Sequence, residues 1–437
     1  MSSRPRRRAA LAALAVTAVT LAGCSGGAQP ASTAAADPNA PVHLTWWTGQ
    51  TADAEALLEG LAKEFTAAHP NVTIDVSSGA PTTDDLLQKM TAGFASDTYP
   101  DVSYAFGSWA SQLGESGKTL DLTEDVKDPA VNWADFPQVA RDTASPKGVT
   151  IGFPAIVDNL ALIYNPDLFA AAGVPEPGPD FSWDDFRAAA KAITEPAQNI
   201  YGTAYSVSAS EDTTWHFWPL LWQNGGDVLS PDETKTAFNS PAGVKSLEFL
   251  RAMAVDDKSV YLDQTDEKYA PLFEDGRVGM IISGPWVLYD LTQKGTSYKV
   301  APLPGTAGNH QTVSGPDIWA LFDHGDANRA HWALEFTKWL TSAPIDARWN
   351  LTQGNLPLRA SEASSPEYAE YIKNYPGADV MFANLKNATK PRPTVPAYPE
   401  VSQFVGTAIS QVMQGAAQPS DALADAARQG DQALSGS

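Results

Sequence analysis

The chain has a single cysteine, Cys24, so it can form no internal disulfide and must be held together by ordinary hydrophobic cores. Some ~400 residues remain beyond that cysteine, enough for two domains that each bury a sizeable interior. Histidine is scarce. His43, His69, His216, His310, His324 and His331 fall in no HExxH or HxH pattern, which argues against a zinc site. No GxSxG elbow is present. Gly117-Lys118-Thr119 has the ending of a P-loop, but Gln112 stands where its first glycine belongs, so the segment reads as a plain loop. Positive charge is also short, with 29 Lys and Arg against 51 Asp and Glu, a net charge of −22. Such a surface repels phosphate backbones and speaks against nucleic acid as a partner. Beyond Ala22 no apolar run approaches the ~20 residues of a membrane span. The adjacent acids Asp84-Asp85, Asp184-Asp185 and Asp256-Asp257 are explained by helix starts and solvated faces rather than by a glycosidase pair.

The N-terminus carries Arg4, Arg6, Arg7 and Arg8, then an alanine-rich apolar run from Ala9 to Ala22 that is short for a membrane span. It ends in Leu21-Ala22-Gly23-Cys24, which resembles the bacterial lipobox. The expectation is a signal peptide over 1–23, a lipidated Cys24, and a Ser/Gly/Ala-rich tether over 24–40. The body would then sit outside the cell, held to the outer face of the membrane by acyl chains alone. Losing four arginines leaves 25 basic against 51 acidic residues, a net charge of −26.

Tryptophan is abundant, with 13 in the chain, many beside glycine, proline or polar residues rather than in apolar stripes. Val42 to Trp47 reads as a strand, Leu57, Leu58, Leu61 and Phe65 as a helix face, and Val72, Ile74 and Val76 as a second strand. A second helix carries Leu86, Leu87, Met90 and Phe94, and Pro100-Asp101-Val102 opens a third strand. This alternation implies an α/β layer with mostly parallel strands. Further strands are expected at Val149–Phe153, Leu160–Tyr164 and Val278–Ile282. Ser182 and Asp185 have capping-box spacing, and Phe181 and Phe186 that of a hydrophobic staple. Later helices are expected over Ala242–Ala254, Arg329–Leu340 and Gln403–Met413. No internal repeat is evident.

The run Gly152-Phe153-Pro154 through Ile163-Tyr164-Asn165-Pro166-Asp167-Leu168-Phe169 resembles the extracellular solute-binding proteins of sugar ABC importers, the group that includes maltose-binding protein. Agreement continues in order through Trp183-Asp184-Asp185-Phe186, Asn224-Gly225-Gly226, Phe273 to Met280, Ser283-Gly284-Pro285-Trp286, Ala301-Pro302-Leu303-Pro304 and Gly354 to Arg359. The resemblance implies an α/β fold of two lobes joined by crossing strands around a central ligand cleft. It places crossings near 153–160 and 299–304, lobe one at 41–152 plus 303–346, and lobe two at 153–302 plus 347–437. It implies no cofactor and no chemistry, a sugar as ligand, ABC permease subunits as partners, and a monomer.

A sugar needs flat aromatic surfaces for its C–H faces and a rim of carboxylates, amides or arginine for its hydroxyls. Trp47, Thr48 and Gln50 follow the first strand, where relatives begin a ligand loop, and alternation turns Trp46 to the opposite face, toward the core. Asp158 stands where maltodextrin-binding relatives place an acidic ligand. Trp215 aligns with their stacking aromatic, whereas Trp218 reads as core. Trp286 follows a Gly-Pro turn that would present its ring. Arg359, after the Leu356-Pro357 turn, is a candidate for polar ligand groups, and Phe106, Ser108, Gly315 and Asp317 sit in matching cleft loops. The chain also departs from the maltodextrin pattern. Gln50 and Thr51 replace an acid and a base, Thr213 replaces an acid, and Ser402 falls near the late stacking aromatic. A glycerophosphodiester or other phosphorylated solute is the rival ligand, motivated by Arg359. A secreted carbohydrate hydrolase is the third reading.

Overall fold

A computed structural model describes residues 36–81, 83–266 and 268–436. The expected signal peptide, Cys24 and most of the tether therefore lie outside the described residues. Seven of the strands, in chain order, are β1 Val42–Trp47, β2 Val72–Ser77, β3 Val102–Phe106, β4 Gly152–Ile156, β5 Ala161–Tyr164, β6 Tyr201–Ser206 and β7 Val260–Asp263. The others are β8 Val278–Ser283, β9 Lys299–Ala301, β10 Val313–Ser314, β11 Asp317–Leu321 and β12 Lys390–Pro391.

Two five-stranded sheets organise the molecule, in the orders β2-β1-β3-β11-β4 and β7-β6-β8-β5-β9. In the first, β1 runs parallel to β2 and β3, as the β-α-β alternation implies. Strand β11 returns from far along the chain and pairs antiparallel with both β3 and β4. The second sheet repeats the plan, with β6 parallel to β7 and β8, and β5 antiparallel to β8 and β9. Each sheet carries its own core. Trp46, fully buried, meets Trp319 and Phe336 edge-on in the first. The second is filled by Trp218, Phe217, Leu221 and Tyr398 on one face and by Phe273, Ile281 and Leu288 on the other.

Most local signals land where the sequence puts them. Ser182 Oγ accepts from the Asp185 N–H at 3.1 Å and Asp185 returns the bond to the Ser182 N–H at 3.0 Å, opening the helix Trp183–Ile193. One strand moves. The expected Val149–Phe153 strand is instead β4, three residues later, and Val149 is exposed. Pro154 is tolerated inside it because β4 is the outer strand of its sheet, where a missing N–H breaks no inner ladder. The last expected helix starts at Tyr398, five residues early, with Pro399 in its first turn.

The chain passes between the cores along segments that meet side by side. Residues 157–160 join β4 of the first sheet directly to β5 of the second. Asn159 bridges to Ser314, and β10 pairs in parallel with β12, so three connecting segments form one narrow ribbon. The core residues divide slightly differently from the expected lobe limits. Strand β4 carries the first sheet on to Ile156, Leu303 and Val313 pack in the second core, and Trp349 and Leu358 pack in the first. Crossing segments hand side chains to both interiors, Val157 to the first core and Leu160 and Val313 to the second, so local pattern cannot mark where one core ends. No helix among the described residues is long and apolar enough to cross a membrane.

Candidate ligand-binding cleft

The ribbon floors a cavity of about 480 Å³ whose walls come from both halves of the chain. From the first sheet come the loop after β1, Gly49 to Ala54, with Tyr104, Phe106 and Ile156. From the second come Glu211, Asp212 and Trp215 on the helix Glu211–Trp215, and Trp286, Tyr289 and Asp290 after β8. The ribbon and its ends supply Asp158, Asp317 and Arg392, and Gln353 and Asn355 complete the lining.

Local backbone chemistry explains how these groups are presented. Gly49 has φ +64°, and a Cβ there would lie 2.7 Å from Tyr104 Cδ1, so only glycine turns the chain this sharply after β1. Thr48 is fully buried beneath this turn, its hydroxyl accepting from the Gln50 N–H at 3.2 Å. Gly284 caps the short 3₁₀ turn Pro285–Val287, whose proline sets the first φ and leaves the Trp286 ring partly exposed at the cavity. Gly315 is wedged between Asp158 and Trp215. A Cβ would stand 2.1 Å from Asp158 Oδ1 and 2.4 Å from the Trp215 ring.

Arg392 is the centre of the floor. Its Nη1 donates to Glu211 Oε1 at 3.3 Å and its Nη2 to Asp317 Oδ1 at 3.1 Å, linking an acid beside each sheet. Its guanidinium also lies over the rings of Trp215 at 4.3 Å and Phe106 at 5.0 Å. Burial pushes its pKa down, but the charges of Glu211 and Asp317 more than offset this and hold it protonated. Asp317 also accepts from the Tyr104 hydroxyl at 2.5 Å and the Gly107 N–H at 3.0 Å. Glu211 accepts from Tyr398 and Ser402 at 2.9 and 2.6 Å.

Four polar atoms on the lining residues have no hydrogen-bond partner in the protein: Asp158 Oδ1, Asp212 Oδ2, Trp215 Nε1 and Asn355 Oδ1. Buried polar groups are normally satisfied, and an orphan costs ~1–3 kcal/mol. Asp158 is only 7% exposed. Burial first, then the neighbouring Asp317 charge, raises its pKa well above the carboxylate range, with Arg392 opposing. Burial likewise lifts Asp212 to about 6.

Residues 48–347 match the family model of the bacterial extracellular solute-binding proteins. The chain belongs to that family. A Brucella abortus protein described as a binding protein is 26% identical over 388 residues, covering 86% of this chain and 89% of its own. The Thermotoga lettingae ABC transporter solute-binding protein, solved with alpha-D-tagatose, superposes at a TM-score of 0.79 with 25% identity, over 90% of this chain and 99% of that one. UgpB of Mycobacterium tuberculosis, solved with glycerophosphocholine, superposes at 0.80 over 90% and 98%, and at 18% identity it speaks for the fold alone. The two-lobed architecture implied by the motifs is thus that of a solute-binding protein.

Within this solute-binding protein the cleft brings together Gln50, Phe106, Asp158, Trp215, Trp286 and Asp317 of the residues singled out from sequence. Gly315 backs the wall, and Thr48 shapes the loop from beneath. Trp47 lies aside from the cavity lining, its ring under the Lys89 ammonium at 4.2 Å and packed on the first core. Ser108 is buried behind the lining with an unpaired hydroxyl.

Arg359 does not line the cleft. Its Nε donates to the Thr341 carbonyl at 2.6 Å and its Nη1 to that of Val131 at 3.2 Å, over the ring of Phe136 at 3.8 Å. The cause is local: Leu358 is fully buried in the first core and draws its neighbour inward. Sequence reasoning missed Arg392, Glu211, Asp212 and the mouth pair Asp53 and Tyr289. Arg392 did carry a signal, since it stands between Pro391 and Pro393, where a long side chain projects from a stiffened backbone.

Proposed function

We propose that this solute-binding protein captures a sugar or short oligosaccharide in the cleft and presents it, closed, to the membrane subunits of an ABC importer. The observation that carries the reading is the pairing of two indole rings, Trp215 and Trp286, with unsatisfied buried polar atoms on Asp158 and Trp215. Rings suit the aliphatic faces of a sugar, and the orphan atoms suit its hydroxyls. The tagatose complex of the relative at 25% identity supports the same ligand class. The volume is the liquid share of about 16 waters at ~30 Å³ each, room for one or two rings. The two lobes, divided at the ribbon, would close by hinge motion. The protein acts by binding, without chemistry of its own, as a monomer tethered through lipidated Cys24 to the outer face of the cell membrane after signal-peptide removal.

The phosphorylated-solute reading, which the glycerophosphocholine complex of UgpB keeps as the rival, loses the residue that motivated it in the sequence, since Arg359 is buried elsewhere. The cation that does line the cleft, Arg392, is already paired with two carboxylates, whose negative charge opposes a phosphate beside it. Titration of intrinsic tryptophan fluorescence with mono- and disaccharides tests the sugar reading. A saturable change is expected, weakened at least tenfold in Trp286→Ala. Silence toward every sugar, with a response to another solute class, would refute it.

A further inference from the structure

The charges around the cavity are lopsided. Asp53, Asp158, Glu211, Asp212, Asp290 and Asp317 line it, and Arg392 is the one cation among its lining residues. Arg392 compensates Glu211 and Asp317, which hold its two terminal nitrogens. Asp53 accepts from the Tyr289 hydroxyl at the mouth, and Asp290 is exposed there. Deeper in, Asp158 is more than nine-tenths buried, lines the cavity, and has an oxygen that no protein donor reaches. Asp212 has a second such oxygen, its other oxygen lying 3.6 Å from His216 Nδ1. Neutral hydroxyls would satisfy these oxygens as hydrogen-bond acceptors, whereas a cation would also answer the excess of acidic groups over the one guanidinium in a partly dry site.

We propose that the guest carries a protonated primary or secondary amine on its polyhydroxylated frame, an amino sugar in chemical class, with the ammonium on Asp158. This rests on the sugar reading and narrows it. A quaternary ammonium would suit the aromatic walls but has no N–H for the orphan oxygen. An anion meets five carboxylates in excess of the one guanidinium. The strongly acidic surface adds a long-range field that gathers cations and repels anions. Burial and the Asp317 charge raise the Asp158 pKa, and an ammonium beside it would lower it again, so binding is expected to release protons to solvent.

The test is isothermal titration of the full mature chain with glucose, its 1-, 2- and 6-amino derivatives, N-acetylglucosamine and glucose 6-phosphate, and with cellobiose beside its fully deacetylated amino counterpart. Each is run in two buffers of different ionisation enthalpy. At least one amine is expected to bind tenfold or more tighter than its neutral isostere, with proton release, and N-acetylation should abolish the advantage. Asp158→Asn should erase the preference. Should that variant not fold, proton release by the wild-type protein decides the matter by itself. Neutral sugars bound as tightly as every amine, without proton release, would overturn the inference and leave the sugar reading standing. No binding of any member would overturn both.

Discussion

At the residue scale the site depends on a few atoms with no room to change. Gly315→Ala would drive a methyl against Asp158 Oδ1 and the Trp215 ring. Overpacking of this kind costs ~1–3 kcal/mol, and here it also displaces a proposed ligand group. Urea unfolding should show that loss, with sugar affinity down more than tenfold. Unchanged affinity would mean the ligand does not rest on this wall. Arg392 is a second such point. Removing one partner of a buried ionic network leaves unpaired charge, at ~3–5 kcal/mol. Arg392→Met should therefore destabilise strongly, and Arg392→Lys should not rescue it, since a point ammonium cannot fork to Glu211 and Asp317. Equal stability of the lysine variant would count against the clamp.

At the element scale, the mouth of the cleft is closed by helices from opposite halves. Tyr289, in the helix Leu288–Gln293, donates to Asp53 in the first turn of Ala52–Ala68 at 3.1 Å. The start of that helix is strained, since its first residue, Ala52, adopts φ +52°. An exposed hydrogen bond falls at the low end of ~0.5–1.5 kcal/mol, enough to shift a lobe-closure equilibrium severalfold but not to hold it. Tyr289→Phe should raise the radius of gyration of the ligand-free protein in small-angle scattering and speed ligand release in stopped-flow. Scattering curves that superpose would show the contact to be incidental.

At the scale of the whole molecule, stability should depend on pH through buried acids near the crossing segments. Asp346 and Glu362 are buried, and no protein donor reaches Oδ2 of the first or either oxygen of the second. The pair is comfortable only when a proton lies between them. Burial, and for Glu362 the Asp346 charge next, raises both pKa values far above their unfolded carboxylate range, despite the nearby Arg359. The native state therefore binds more protons than the unfolded chain. The stabilisation is complete below the ordinary carboxylate range and is lost as pH rises through the elevated native values. Calorimetric melting should fall between about pH 5 and about pH 9. Glu362→Gln, which keeps a donor without a titrating proton, should flatten that decline. A Tm that rises across the window would reverse the sign and refute the account. The same cluster explains Arg359, which serves these acids and three carbonyls rather than a ligand.

Periodicity, caps and turn residues are local, and they made the α/β elements, the capping box at Ser182 and the inward face of Trp46 legible in the sequence. The motif series made the family and the general place of the cleft legible as well. Asp158 and Trp215 could be singled out from the resemblance to relatives' ligand positions, and Trp286 also from its Gly-Pro turn. The tertiary structure alone decided which polar groups meet there. Arg392 reaches Glu211 and Asp317 across 181 and 75 positions of chain, and no local pattern encodes a contact so distant. Burial is collective too, and it separates Arg392 from Arg359 and Trp286 from Trp47: each pair is chemically alike, and the packing of two cores sends one member to the guest and the other to the scaffold.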